Sequence, residues 1–233
     1  MIEVCGKSVC GPLRSNNEDS YGFRFAPCKG KDKVILAVAD GLGGCPYGEV
    51  ASMIAVNTAL DLIQQGIEED GDLDYLLKKA FNAANIAILR DCTYDPDHEG
   101  MASTLTVAVL DNDSVTVAHY GDCRCYLVRD DDIILITEDH NYVECRSQLT
   151  KWLGDNKFIK PDIYKNNIFT GDCVILATDG MYSLFDEEAC RDILQNRDDL
   201  EALCSLMMVR GSSPSSRDNS TVVIAKLSPE MKV

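Results

Sequence analysis

Four acidic islands punctuate this 233-residue chain: Arg14-Ser-Asn-Asn-Glu18-Asp19, Asp40-Gly41-Leu42-Gly43-Gly44, Asp179-Gly180 and Asp218-Asn219-Ser220-Thr221, each read as closing an apolar run. Their candidate donors are carboxylates and backbone oxygens. Such hard ligands, completed by water, suit Mg²⁺ or Mn²⁺, whereas zinc favours cysteine and histidine. Asp40 leaves its apolar run for a glycine-rich turn, where the missing side chains let the Gly41 carbonyl approach an ion closely. Asp179 is expected to repeat that turn after residues 173–178, and Asp218 to precede a final strand. The acids stand far apart along the chain, so they can meet only if the strands carrying them lie side by side. Two ions about 3.5–4 Å apart, bridged by one carboxylate and one water, would acidify that water and aim it in line at a phosphate ester. Arg14 adds the complementary charge, because its planar fork can take two phosphate oxygens. Any one Asp-Gly pair alone reads as a turn. The joint pattern points to a metal-dependent hydrolase.

The elements that must hold these groups are written in apolar runs. Residues 34–39 read as a buried strand ending at Asp40, and 104–110 leads through Asp111-Asn112-Asp113 into 115–118 as a hairpin. Residues 125–129 and 133–136 flank Asp130-Asp131-Asp132 as a second hairpin. Between the early strands and this meander, 49–65 reads as a helix with Val50, Ile54, Thr58 and Leu62 on one face. A second helix over 73–91 brings Leu76, Ala80, Ala83, Ala84 and Ala87 onto one side. A strand at 174–178, helices at 186–195 and 198–209, and a closing strand at 221–225 follow. Strand blocks and helix pairs that segregate predict an α+β fold with antiparallel sheets.

Composition narrows the function classes. With 45% hydrophobic residues the chain can bury a substantial core, and its length suits one domain over 1–233. A formal charge of −16 without a cluster of Lys and Arg argues against nucleic acid and against a membrane surface. The opening residues show no signal-peptide pattern, and no apolar stretch approaches ~18 residues, so a cytoplasmic protein is expected. The eleven cysteines are odd in number and lack a CxxC, which reads as reduced thiols packed as small hydrophobes. Cys123 and Cys125 are expected to face the same way on one strand, without partner ligands for a metal. His98, His119 and His140 read as structural, and Trp152 as a packing residue.

In order along the chain, these motifs resemble the metal-dependent serine/threonine protein phosphatases of type 2C, in their compact bacterial form. The resemblance runs from Gly11 to Leu227. Arg14 to Asp19 resembles the opening Arg-x-x-Asn-Glu-Asp motif, and Asp40-Gly-Leu-Gly-Gly the Asp-Gly-Met-Gly-Gly motif. Gly100-Met-Ala-Ser103-Thr104 is similar to the Ser-Thr strand entry, and Gly121-Asp122-Cys123-Arg124 to Gly-Asp-Ser-Arg. Asp179-Gly180 and Asp218-Asn219 complete the series. The resemblance implies two antiparallel β-sheets packed as a sandwich and flanked by pairs of helices, in α-β-β-α layers. It implies Asp40 bridging two Mn²⁺ or Mg²⁺ ions, Asp179 and Asp218 on one, and the Gly41 carbonyl on the other. Glu18 and Asp19 would hold metal-bound waters, Arg14 the phosphate, and Asp122 a third, weaker site.

Three departures stand out. Ser183 replaces the second acid expected at the third site, so a third ion should bind poorly. Leu42 stands where animal members carry a histidine, leaving water or an unassigned group to protonate the leaving group. The flap, around 140–154, is cut short and should leave the cleft more open. The implied activity is hydrolysis of phosphoserine and phosphothreonine in proteins, by a monomer opposing a serine/threonine kinase. The alternative is a catalytically silent relative that binds a phosphoprotein or kinase. A nuclease or nucleotide phosphohydrolase would call for a basic track or stacking aromatics, and neither is evident.

Overall fold

The structure, a computed structural model, describes residues 1–28, 32–69 and 71–229. Strands β1 (Ile2–Val9), β2 (Asp19–Ala26) and β3 (Lys33–Asp40) come first, followed by helices α1 (Gly48–Glu68) and α2 (Leu73–Tyr94). The meander β4 (Leu105–Leu110), β5 (Ser114–Tyr120), β6 (Arg124–Arg129) and β7 (Asp132–Leu135) leads to a small hairpin, β8 (Asn141–Tyr142) and β9 (Cys145–Leu149). Then come β10 (Asp162–Asn167), β11 (Cys173–Ala177), α3 (Asp179–Tyr182), α4 (Glu187–Asn196), α5 (Leu200–Gly211) and β12 (Ser220–Leu227). One sheet has the order β1-β12-β11-β6-β7, the other β10-β5-β4-β3-β2, and every pairing in both is antiparallel.

The strand period of two explains the layers. In β3, Val34, Leu36 and Val38 face the opposite sheet and meet Leu176 and Val223, while Ile35, Ala37 and Ala39 face α1 and α2. A strand covered on both faces has no polar side, which is why 34–39 reads as an unbroken apolar run. In the other sheet Ile175, Val222 and Ile224 turn outward to Leu203 and Met207 of α5. The expected α-β-β-α sandwich is the observed one. Each fully buried large side chain, such as Leu60, Leu77 or Ile88, contributes about 1.5–3 kcal/mol. Cys123 and Cys125 both lie in the inter-sheet core, and Cys173 and Cys204 in the core under α5, packed as small hydrophobes.

Several expectations need correction. The buried face of α1 carries Ala51, Ala55, Val56, Ala59, Leu60 and Ile63, while Val50, Ile54 and Leu62 are only partly buried. Alanines let the helix axis approach the sheet, and Val56, Leu60 and Ile63 fill the space beside them. On α2 the expected Leu76, Ala80 and Ala84 are buried, joined by Leu77, Phe81 and Ile88, while Ala83 and Ala87 lie beside them. Asp179-Gly180 is not a glycine turn: it opens the short helix α3 after Thr178. His98 ends a 3-10 turn over Pro96–His98 in the connection to β4. The Arg14–Asp19 island does not close an apolar run either. It follows β1, a half-exposed edge strand, and Asp19 begins β2.

Antiparallel pairing sets the start of one strand beside the end of the next, and this gathers the islands. Asp19, at the start of β2, lies opposite Asp40, at the end of β3. Asp179 follows the end of β11, and Asp218 precedes β12, its neighbour. Hydroxyls of Thr178 and Thr221 donate to Asp19 Oδ2 at 2.8 and 2.6 Å, joining both sheets at this end. Among the described residues no helix is long and apolar enough to cross a membrane.

Candidate active site

At this end of the sandwich a cavity of about 290 Å³ is walled by Arg14, Glu18, Asp40, Asp122, Asp179 and Asp218, with Gly41 beside Asp40. These are seven of the eight residues the sequence points to. The eighth, Asp19, lies behind the wall.

Backbone hydrogen bonds fix the Asp40 corner. The Asp40 N–H donates to Thr104 Oγ1 at 2.9 Å, and its carbonyl accepts from Thr104 N–H at 2.9 Å and Ser103 Oγ at 3.0 Å. The Gly41 N–H donates to the Glu18 carbonyl at 3.0 Å. A Cβ on Gly41 would stand 2.3 Å from the Gly48 carbonyl at the start of α1, so only glycine lets chain and helix approach this closely. The Asp218 corner is held by the Asn219 N–H on Oδ1 at 2.8 Å. Arg14 Nη2 pairs with Asp218 Oδ2 at 2.6 Å, and its Nη1 stands 3.9 Å from Glu18 Oε2. Arg14 thus enters the cavity flanked by two acids.

The electrostatics are those of an acidic box with too few cations. Burial, then the charges of Asp19 and Asp179, drives Asp40 well above the usual carboxylate range. Burial pushes Asp19 up to about 7 against its two hydroxyl donors, and pushes Asp122 up to about 7 with help from Asp179. Asp179 is raised by burial and by the charge of Asp218. Asp19 Oδ1 and Asp179 Oδ1 are buried without a hydrogen-bond partner. Orphaned carboxylate oxygens beside mutually repelling acids suit a bound cation.

Among the described residues, no three His, Cys, Asp or Glu side chains close into a ready-made cage. The acids spread around the wall instead of converging on one point. That arrangement is unsuited to zinc, which takes three or four protein ligands. It fits Mg²⁺ or Mn²⁺, which keep several waters and are held through one or two carboxylates each.

A second lobe of about 360 Å³ shares Asp122, Asp179 and Asp218 and adds Tyr182, Ser183 and Arg217. Ser183 spends its hydroxyl on the Gly180 carbonyl at 3.2 Å. Arg124 is likewise committed, gripping Asp139 through Nε at 2.9 Å and Nη2 at 2.7 Å, with its guanidinium 3.9 Å from the centre of the Tyr182 ring. Sequence reasoning missed two residues here. Leu149, at the end of β9, forms part of the cavity wall, so the short flap still reaches the site. Asn141 Nδ2 donates to Asp122 Oδ2 at 3.3 Å. Both lie in a short hairpin with no apolar alternation to mark it; the polar residue directly after His140 was the one available hint.

Residues 14–215 match the model of a family described as Protein phosphatase 2C. The chain belongs to the protein phosphatase 2C family. It is 31% identical over 244 aligned residues to the serine/threonine protein phosphatase PstP of Mycobacterium tuberculosis, covering 97% of this chain. The chain spans only 45% of that relative's length. The serine/threonine phosphatase stp of Listeria innocua is 27% identical, with 93% of this chain and 92% of that protein covered. A crystal structure of the M. tuberculosis phosphatase PstP/Ppp superposes with a TM-score of 0.81 at 28% identity, covering 98% of this chain and 99% of that one. The PstP catalytic domain, solved in complex with two manganese ions, gives a TM-score of 0.77 at 31% identity, covering 98% and 99% of the two chains.

Proposed function

We propose that this family member hydrolyses phosphoserine and phosphothreonine esters in proteins, using two Mn²⁺ or Mg²⁺ ions. The observation that carries the reading is the meeting of Asp40, Asp179 and Asp218 with Arg14 on one cavity wall, with an orphaned Asp179 oxygen among them. The manganese ions in the related PstP domain support it. Asp40, Asp179, Asp218 and the Gly41 carbonyl would hold the ions. Glu18 would act through water from the wall. Asp19, set behind, would reach the ions only through its partnerless Oδ1 and a water. Bound there, the ions would supply an acidified water for attack and positive charge for the phosphoryl oxygens.

The chain's own residues do the rest. Arg14 binds the phosphate with the part of its fork that Asp218 leaves open, and in doing so offsets the acidic wall. Leu42 and Leu149 give the cavity an apolar margin. No histidine stands on the cavity wall among the described residues, which leaves water or another group to protonate the leaving group. Asp122 would serve a third ion only weakly, because Ser183 offers a hydroxyl already donated to Gly180.

On this reading residues 1–233 act as one phosphatase domain with a shortened flap at 140–154. The protein works as a cytoplasmic monomer whose substrates are phosphoproteins and whose opposing partner is a serine/threonine kinase. The net charge of −16 supports the exclusion of nucleic acid. The test is a panel of p-nitrophenyl phosphate, a phosphothreonine peptide, a nucleotide and an oligonucleotide, each with Mn²⁺ and with EDTA. Turnover of the first two with Mn²⁺ only is expected. Preference for the nucleotide or oligonucleotide would overturn the substrate class, and no turnover of any would favour a silent phosphoprotein-binding relative.

A further inference from the structure

His140 is buried, 8% exposed, and takes no part in the chemistry above. Its hydrogen bonds nevertheless run straight to the cavity wall. The Gly121 N–H donates to His140 Nδ1 at 3.0 Å, and the His140 N–H donates back to the Gly121 carbonyl at 2.8 Å. A backbone N–H can only donate, so Nδ1 must carry the lone pair and Nε2 the proton. Nε2 then donates to Asp162 Oδ2 at 2.7 Å. Lys151 Nζ, 3.0 Å from Nε2, has no lone pair to offer and pairs with the same Asp162 oxygen at 2.9 Å. Burial lowers the pKa of the ring, in keeping with a neutral imidazole.

The clamp has two further arms. His119 stacks on His140 with ring centres 4.6 Å apart, donating from Nε2 to the Glu138 carbonyl at 3.1 Å. The His140 carbonyl accepts from the Thr150 N–H at 2.6 Å, so both ends of the β8–β9 hairpin meet at this residue. Gly121 has φ +129°, and a Cβ there would stand 2.5 Å from Thr104, so the loop cannot shift toward β4. Its neighbour Asp122 and the hairpin's Leu149 both belong to the cavity wall.

We infer that His140 is a positioning residue: held by the Lys151–Asp162 pair, it fastens Asp122 and the Leu149 hairpin in place on the wall of the active site. This rests on the phosphatase reading for its effect on turnover but not for its geometry.

Asparagine can present an acceptor oxygen near the place of Nδ1, and phenylalanine fills the space without one. His140→Phe is expected to lose roughly tenfold in kcat/KM on a phosphothreonine peptide, as supporting residues around metal sites do, and His140→Asn to stay within about threefold. The Gly121 amide proton, observed by NMR, should move upfield in His140→Phe and hold its place in His140→Asn. Equal loss in both variants, unchanged turnover in His140→Phe, or a Gly121 amide indifferent to the phenylalanine would each overturn the inference. If the wild type turns over no phosphate ester, the phosphatase reading fails alone, and the Gly121 amide still decides whether the clamp exists.

Discussion

Replacing Asp19 by asparagine should stabilise the metal-free protein at alkaline pH and destabilise it at acid pH. Asp19 accepts two hydroxyl hydrogen bonds on Oδ2, leaves Oδ1 buried and partnerless, and titrates at about 7 instead of 3.8. The native state therefore keeps a proton that the unfolded state has already released, and stability falls as pH rises from about 4 to 7. At about 1.4 kcal/mol per unit, a gap of roughly three units means that ionised Asp19 costs ~4 kcal/mol at pH 8. Asparagine removes that cost but sets an amide where Oδ1 was, leaving a buried donor unpaired at ~1–3 kcal/mol. The variant should therefore be more stable by ~1–3 kcal/mol at pH 8 and less stable by a similar amount near pH 4. Urea denaturation of EDTA-treated protein at the two pH values measures both. Added Mn²⁺ should raise the wild-type midpoint at pH 8 more than that of the variant, because a ligand that binds only the native state stabilises by mass action. A variant weaker by the same amount at both pH values would refute the reasoning, since it would mean that Asp19 is not strained by its charge.

Asp40→Asn should abolish turnover while its circular dichroism stays that of the wild type; any retained metal-dependent activity argues against Asp40 as the shared ligand. Arg14→Ala loses a charge-assisted contact to the phosphate worth ~1.5–3 kcal/mol, so inhibition by inorganic phosphate should weaken by roughly 10- to 100-fold. Asn85, 4% exposed, ties α2 to the segment after the flap by donating to the Asp155 carbonyl at 2.9 Å and accepting from the Gly154 N–H at 2.7 Å. Asn85→Ala should therefore cost ~2–4 kcal/mol in urea denaturation while leaving kcat nearly intact.

What the sequence revealed follows from burial. Residues 34–39 are legible because β3 is covered on both faces. The edge strands β1, β2 and β10 carry mixed polarity, so no run marks them. The meeting of the acids could be inferred from strand ends, but the division between Glu18 and Asp19 could not. Asp19 stands opposite Asp40 in register but is held by the hydroxyls of Thr178 and Thr221 from the other sheet, long-range contacts that leave no local trace in the sequence. Asn141 and Leu149 stayed hidden because a two-residue strand paired through a register shift leaves no periodic trace. His140 is visible as a buried clamp only once Gly121, Asp162 and Lys151 surround it.

On the phosphatase reading these carboxylates hold the ions on which turnover depends. Titrating Mn²⁺ into EDTA-stripped protein, with calorimetry and phosphate release from a phosphothreonine peptide followed on the same sample, tests it most directly. Two equivalents should bind and release should begin as they fill, with both signals lost in Asp40→Asn. Full release without added metal, or metal binding unchanged by Asp40→Asn, would contradict it.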